Sequence, residues 1–198
     1  ILVDFQHRLF NYGGKHGLND LPHTLQTVSD LTELDTVVEC LRKEFEARRS
    51  RKGTYPDIFV IIDNYDDFQS ILAAKRDLYA RMGQLALRHG AEGLHYVVCG
   101  SLGILRTGDD LMKQVVLSRY ALGLDAYESA QALNAKIRVQ SIEFPPGRGY
   151  IVRSGQVALI QIGTPQFEGM SIEASLDEWV KVIQERHPER TAWLKLDS

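Results

Sequence analysis

The run Ile58-Phe59-Val60-Ile61-Ile62-Asp63-Asn64-Tyr65-Asp66 sets a carboxylate at the end of five apolar residues. A short, nearly continuous apolar run suits a strand buried on both faces of a parallel sheet. Ligands meet an open α/β sheet at the carboxyl ends of its strands. An aspartate there can hold a magnesium ion, directly or through water, while the acid that follows polarises the attacking water of a phosphoryl transfer. Asp63 is therefore the candidate catalytic, cofactor-binding and metal-ligating residue. The same pattern equally suits an aspartate that caps the next helix. Asn64, a second catalytic candidate, cannot accept a proton as a carboxylate does, although it can orient a water. Asp66 reads as an N-cap rather than a base.

The other parts of a phosphate site do not follow. A phosphate-binding loop needs Gly-x-x-x-x-Gly-Lys-Ser/Thr, whose backbone N–H groups cradle the phosphates. The one Gly-Lys pair is Gly14-Lys15, with His16 after it and Leu9 where the first glycine belongs. Asn11-Tyr12-Gly13-Gly14 is better read as a turn. The basic run Arg48-Arg49-Ser50-Arg51-Lys52 ends a helical pattern, where cations complement the dipole and stay solvated. The six histidines are scattered without ligand spacing, which argues against a metal cage. Cys40 and Cys99 sit in apolar patterns and read as buried thiols of a reducing compartment.

The elements that must position Asp63 are legible in the spacing. Leu94-His95-Tyr96-Val97-Val98 before Cys99-Gly100 is a second buried-strand pattern. Leu34, Val37, Val38, Leu41 and Phe45 recur at helical spacing. Phe68, Ile71, Leu72, Leu78, Met82, Leu85 and Ala86 do so as one helical stretch between the two strands. Strand, helix, strand is the signature of parallel crossovers and a three-layer α/β fold. Asp125 with Glu128 fits a capping box for a helix through Leu133, and a further helix is expected over 109–116. Pro145-Pro146-Gly147-Arg148-Gly149 is a rigid turn, and 150–153 with 156–162 reads as a hairpin closed by Ser154-Gly155. A last amphipathic helix is expected over 175–185, capped by Ser175 and Glu178, with its Trp179 face docked on the domain.

With 198 residues, 44% hydrophobic and 25% charged, the chain can build a sizeable core. Its net charge of −3 lacks the basic excess of a dedicated nucleic-acid module. No apolar run approaches a membrane span. The opening Ile1-Leu2-Val3-Asp4 already reads as a strand, so the chain is expected to be a fragment of something longer.

In order, Leu2-Val3-Asp4 with Arg8-Leu9, Asp63-Asn64-Tyr65-Asp66, Gly93-Leu94-His95, Arg119 and Pro145-Pro146-Gly147-Arg148-Gly149-Tyr150 resemble the FtsK/SpoIIIE ATPases. They are most similar to the EccC/EssC ATPase modules of type VII secretion. The resemblance covers about residues 1–163. It implies a RecA-like P-loop core over 1–165, mainly parallel, lacking the Walker A strand and loop. A C-terminal extension with one helix follows over 166–198. By resemblance Asp63 is the Walker B aspartate, Asn64 replaces the family's second acid, and Arg119 is the arginine presented to a neighbour's nucleotide. A local salt bridge to Asp125 or Glu128 is the competing reading of Arg119. Gly100-Ser101 stands where many translocases have a Thr-Gln sensor. Tyr150 replaces an aspartate of the DNA-translocating members. Arg148 is read as structural.

The resemblance further implies ATP and Mg as cofactors of the parent protein, with neither bound by this chain alone. Neighbouring ATPase modules and small helical-hairpin export substrates are the implied partners, with DNA less favoured. The implied place is the cytoplasmic face of the membrane, reached through the parent. Work in regulation, assembly or substrate-signal binding follows, the chain alone being inactive. The alternatives are a fragment of an active ATP-dependent DNA translocase, and an interaction domain that never binds nucleotide.

Overall fold

The computed structural model describes residues 1–8, 15–51, 53–101, 118–124, 126–137, 144–153 and 155–188. The expected turn at 11–14, the helix at 109–116 and the capping residue Asp125 lie outside them. The chain divides into two compact units, Ile1–Ser101 with Gln166–Ser198, and Leu102–Pro165.

In the first unit β1 (Leu2–Val3), β2 (Thr27–Val28), β3 (Ile58–Ile62) and β4 (Leu94–Val98) form one sheet in the order β2-β1-β3-β4, every pair parallel. The two longest apolar runs lie side by side, Ile58 opposite Leu94 and Ile62 opposite Val98. Helix α1 (Leu31–Ser50) is started by Asp30, whose carboxylate accepts from the amides of Thr32 and Glu33 at 2.7 and 2.8 Å. Its inward stripe, Leu34, Val37, Val38, Leu41 and Phe45, is at most 3% exposed. Fully burying one such side chain is worth about 1.5–3 kcal/mol, so this face fixes the helix on the sheet. At its last turn Arg48 is buried, not solvated as its charge suggested. The guanidinium lies over Phe45 and Tyr55, bonds Glu44 at 2.9 Å and donates to the Pro56 carbonyl. Arg49 pairs with Glu92. Two cations of the basic run thus serve the fold.

The single helix expected between β3 and β4 is two, α2 (Tyr65–Leu72) and α3 (Arg76–His89). Leu72 and Leu78 are six residues apart, which breaks the i, i+3, i+4 rhythm a continuous stripe needs. Each segment buries its own part of the pattern, Phe68 and Leu72 on α2, then Leu78, Met82 and Leu85 on α3.

The second unit carries β5 (Arg119–Leu122), β6 (Arg148–Arg153) and β7 (Gln156–Gln161) as an antiparallel sheet in that order. The expected hairpin is β6–β7, and Gly155 at φ +76° supplies the left-handed turn residue. Helix α4 (Ala126–Leu133) contributes Ala132 and Leu133 to a small core with Ala121, edged by Leu124, Tyr150 and Val152.

Helix α5 (Ile172–Arg186) belongs to the first unit and begins before Ser175. Ser171 is the cap, accepting from the Ala174 amide at 3.2 Å. Ser175 is fully buried and spends its hydroxyl on the Ser171 carbonyl, while accepting from the Phe167 amide. The buried face is Ser175 and Val180; Trp179 is 40% exposed, its ring 5.0 Å from that of Phe167. Among the described residues no helix is long and apolar enough to cross a membrane.

Candidate functional site

β1 connects to β2 on one side and the chain then returns to β3 on the other, so the strand order reverses between β1 and β3. A ligand crevice in an open parallel sheet forms outside the carboxyl ends of strands at such a switch point. Register places Val3 opposite Ile62, so Asp4 and Asp63 come next on the two strands. The Asp63 amide donates to the Val3 carbonyl at 3.0 Å, and the Asp4 amide to that of Val28 at 2.9 Å. The shallow crevice here is lined by Asp4, Gln6, Asp63, Asn64, Asp67 and Phe68, among others. Asp4 was not singled out for chemistry, although it carries the signal that selected Asp63, an acid ending an apolar strand. It is 1% exposed and its carboxylate accepts from the Gln6 amide at 2.9 Å.

The acids after β3 are not equivalent. Asp67 accepts from the side-chain amide of Asn64 at 2.9 Å. Asp66 accepts from both the amide and the hydroxyl of Ser101, each at 2.9 Å. It is therefore not the expected N-cap, and its carboxylate is committed. Asn64 occupies the N-cap position in the left-handed region, φ 48°, without a side-chain cap bond; asparagine tolerates that region better than most residues. Asp63 itself is half-buried and no hydrogen bond or ion pair of its carboxylate is found among the described residues. It is the carboxylate left open to a ligand.

Cys99, expected buried, is exposed at the end of β4. Its thiol is partly desolvated and faces the charge of Asp63; both hold its pKa above the ordinary thiol value, desolvation more strongly. His95 lies on β4, its ring 5.0 Å from Phe59 and its Nε2 3.4 Å from the Asp57 carboxylate.

Magnesium needs one or two carboxylates and commonly completes its shell with waters and substrate phosphates. Asp63 fits as one such ligand. Among the described residues no three His, Cys, Asp or Glu side chains come together as a metal site of their own. Arg119 lies on the other unit as the first residue of β5, opposite Val152. No ion pair or hydrogen bond of its side chain is found among the described residues, Glu128 included.

No protein-family model and no curated protein matches the chain. Solved structures do. EssC (ATPases 2 and 3) from Geobacillus thermodenitrificans matches with a TM-score of 0.64 at 19% identity, over 86% of this chain and 35% of that one. The cytoplasmic domain of the type VII secretion ATPase EccC from Thermomonospora curvata matches with 0.59 at 18%, over 90% of this chain and 24% of that one. EccC (ATPases 2 and 3) from the same organism, in complex with a signal sequence peptide, matches with 0.50 at 18%, over 81% and 30%. The chain shares the mixed α/β fold of these ATPases. It spans well under two thirds of the length of each.

Proposed function

We propose that the chain is part of an ATPase module of a type VII secretion motor, one that works through regulation, assembly or the reading of an export signal rather than through its own hydrolysis. The observation that carries this reading is Asp63, a half-buried carboxylate without a hydrogen-bond partner among the described residues, at the carboxyl end of β3 in a fold shared with EssC and EccC. In an assembled motor Asp63 would reach a magnesium ion whose other ligands are nucleotide phosphates and water. Asn64 stands where a second acid would polarise the attacking water, and its amide is spent on Asp67. No Gly-x-x-x-x-Gly-Lys-Ser/Thr occurs in the sequence to neutralise those phosphates. One EccC structure contains a signal sequence peptide, which favours signal reading among the three roles.

Calorimetric titration separates the possibilities. The chain should show no micromolar binding of Mg-ATP and no turnover, and should bind an export-signal peptide. Micromolar Mg-ATP binding by the chain alone would mean that the phosphate site has been misplaced. The neighbouring ATPase modules of the motor are the proposed partners, and the inner face of the membrane is the proposed place of work, reached through the parent protein.

A further inference from the structure

We propose that the backbone amides of Lys15 and His16 form an oxyanion-binding site in the first unit, which the carboxylate of Asp177 fills from α5 as a built-in occupant. The Lys15 amide donates to one oxygen of Asp177 at 3.1 Å and the His16 amide to the other at 2.8 Å. Two successive N–H groups thus grip the two oxygens of one carboxylate. Successive backbone amides turned to one side make an anion-binding concavity. The two amides, Lys15 first, and then the charges of His16 and Lys15 hold the Asp177 carboxyl below its usual range. Lys15 belongs to the one Gly-Lys pair of the sequence, which lacks the spacing of a phosphate loop. Its anion contact is made by main chain and needs no such motif.

The occupant is exchangeable because the site lies at the surface. Lys15 is exposed and its bond to Asp177 is open to water. The next amide, that of Gly17, is already given to Asp20 at 2.9 Å, and the Asp20 carboxylate stands 3.7 Å from the His16 ring. That acid limits the site to a small, singly held oxyanion, a carboxylate or a phosphate oxygen pair. Helix α5 does not depend on Asp177 alone. Ser175 and Val180 are buried, and Gln184 donates to the Asp20 carbonyl at 2.8 Å. An outside oxyanion at Lys15 and His16 displaces Asp177, so occupancy of the site and the seating of α5 bias one another reciprocally. This inference does not rest on any nucleotide at Asp63.

Amide NMR titration of the whole chain tests it. Acetate and inorganic phosphate are added separately without magnesium, with chloride at equal ionic strength as the control. In Asp177→Ala the amide signals of residues 15 and 16 should shift saturably. Half-saturation should come at a concentration at least about tenfold lower than in the native chain, because a tethered competitor is gone. Saturation by acetate marks a carboxylate ligand, and saturation by phosphate alone a phosphate ligand. Asp177→Asn keeps the side chain's shape without its charge and should respond between the two. In the native chain, excess of the effective anion should move the Trp179 indole signal along the same curve as amides 15 and 16. No saturable shift at these amides in either variant, with the β3 and β4 signals native, overturns the site. So does a response that chloride reproduces. Loss of the native β3 and β4 signals in both variants would make Asp177 a support of the fold, and that too overturns the proposal.

Discussion

Asn64 donates its side-chain amide to Asp67 at 2.9 Å while its backbone sits in the left-handed region at φ 48°. The residue that follows Asp63 is thus a donor the local structure uses. Asn64→Asp removes that donor and sets a carboxylate against Asp67. The expected loss is about 1 kcal/mol, the worth of a typical hydrogen bond, with a further repulsive part that salt screens. Asn64→Gly keeps the backbone conformation and loses only the bond, so it should cost less. Urea midpoints at low and high salt measure both; an Asn64→Asp chain as stable as the parent would remove Asn64 from this structural role.

Asp63 contributes to its surroundings through charge rather than through a hydrogen bond. Asp63→Asn should therefore change stability by no more than about 0.5 kcal/mol, as for substitutions away from buried networks. It should also shift the titration of Cys99. Desolvation and the Asp63 charge both raise that thiol, so removing the charge lowers its pKa while the desolvation part remains. Sign follows directly: thiolate forms at lower pH, and alkylation near neutrality speeds up. The measurement is iodoacetamide reaction rate against pH, in a background with Cys40 replaced by alanine. An unmoved profile would mean that Asp63 does not act on the thiol.

Gly149 allows a close backbone approach in the second unit. It is buried on β6 opposite Leu122, and a Cβ there would strike the Ala121 carbonyl oxygen and lie 2.9 Å from the Leu122 side chain. A carbonyl within a strand pair cannot swing aside as a side chain can. Gly149→Ala should cost about 1–3 kcal/mol, the range for overpacking. Hydrogen exchange should report it at β5 and β6, with β3 and β4 of the other unit unaffected, because sub-global units open separately. Equal loosening of all four strands would contradict a separable second unit.

What the sequence made legible was carried by short-range pattern. Two apolar runs separated by helical spacing placed β3 beside β4, and the same logic put Asp63 at the sheet's carboxyl edge. The start of α5 was misread because Ser175 with Glu178 copies a capping box better than Ser171, which is followed three positions later by Ala174. What decides between them is burial: Ser175 is enclosed and bonds back to the preceding turn. Partners distant in sequence left no local trace. Asp177 accepts from the amides of Lys15 and His16, and these donors hold its carboxyl below the usual range. Nothing in either segment announces the other. The same holds for Asp66 with Ser101, and for β5, which is recognisable only once β6 lies alongside it.

Arg119 gives the sharpest contrast between a local and a long-range role. As the first residue of β5 it is half-exposed, and no acid among the described residues holds it. A local salt bridge to Glu128 is thereby disfavoured as its purpose. Arg119→Ala should shift the melting temperature of the chain by no more than about 2 °C, the equivalent of about 0.5 kcal/mol at this size. Under the proposed function its guanidinium serves a neighbouring module's nucleotide, for which a permanent charge and paired donors are suited. In the assembled parent motor Arg119→Ala should then lower the neighbour's kcat by about a thousandfold, the scale of an arginine finger. Arg119→Lys, which keeps the charge without the fork, should recover only part of that loss. Steady-state ATPase assays on the intact motor, with melting curves on the chain, read the two effects separately. A fall of many degrees with unchanged turnover would assign Arg119 to the stability of the β5–β6 pair, and its role in trans would be lost.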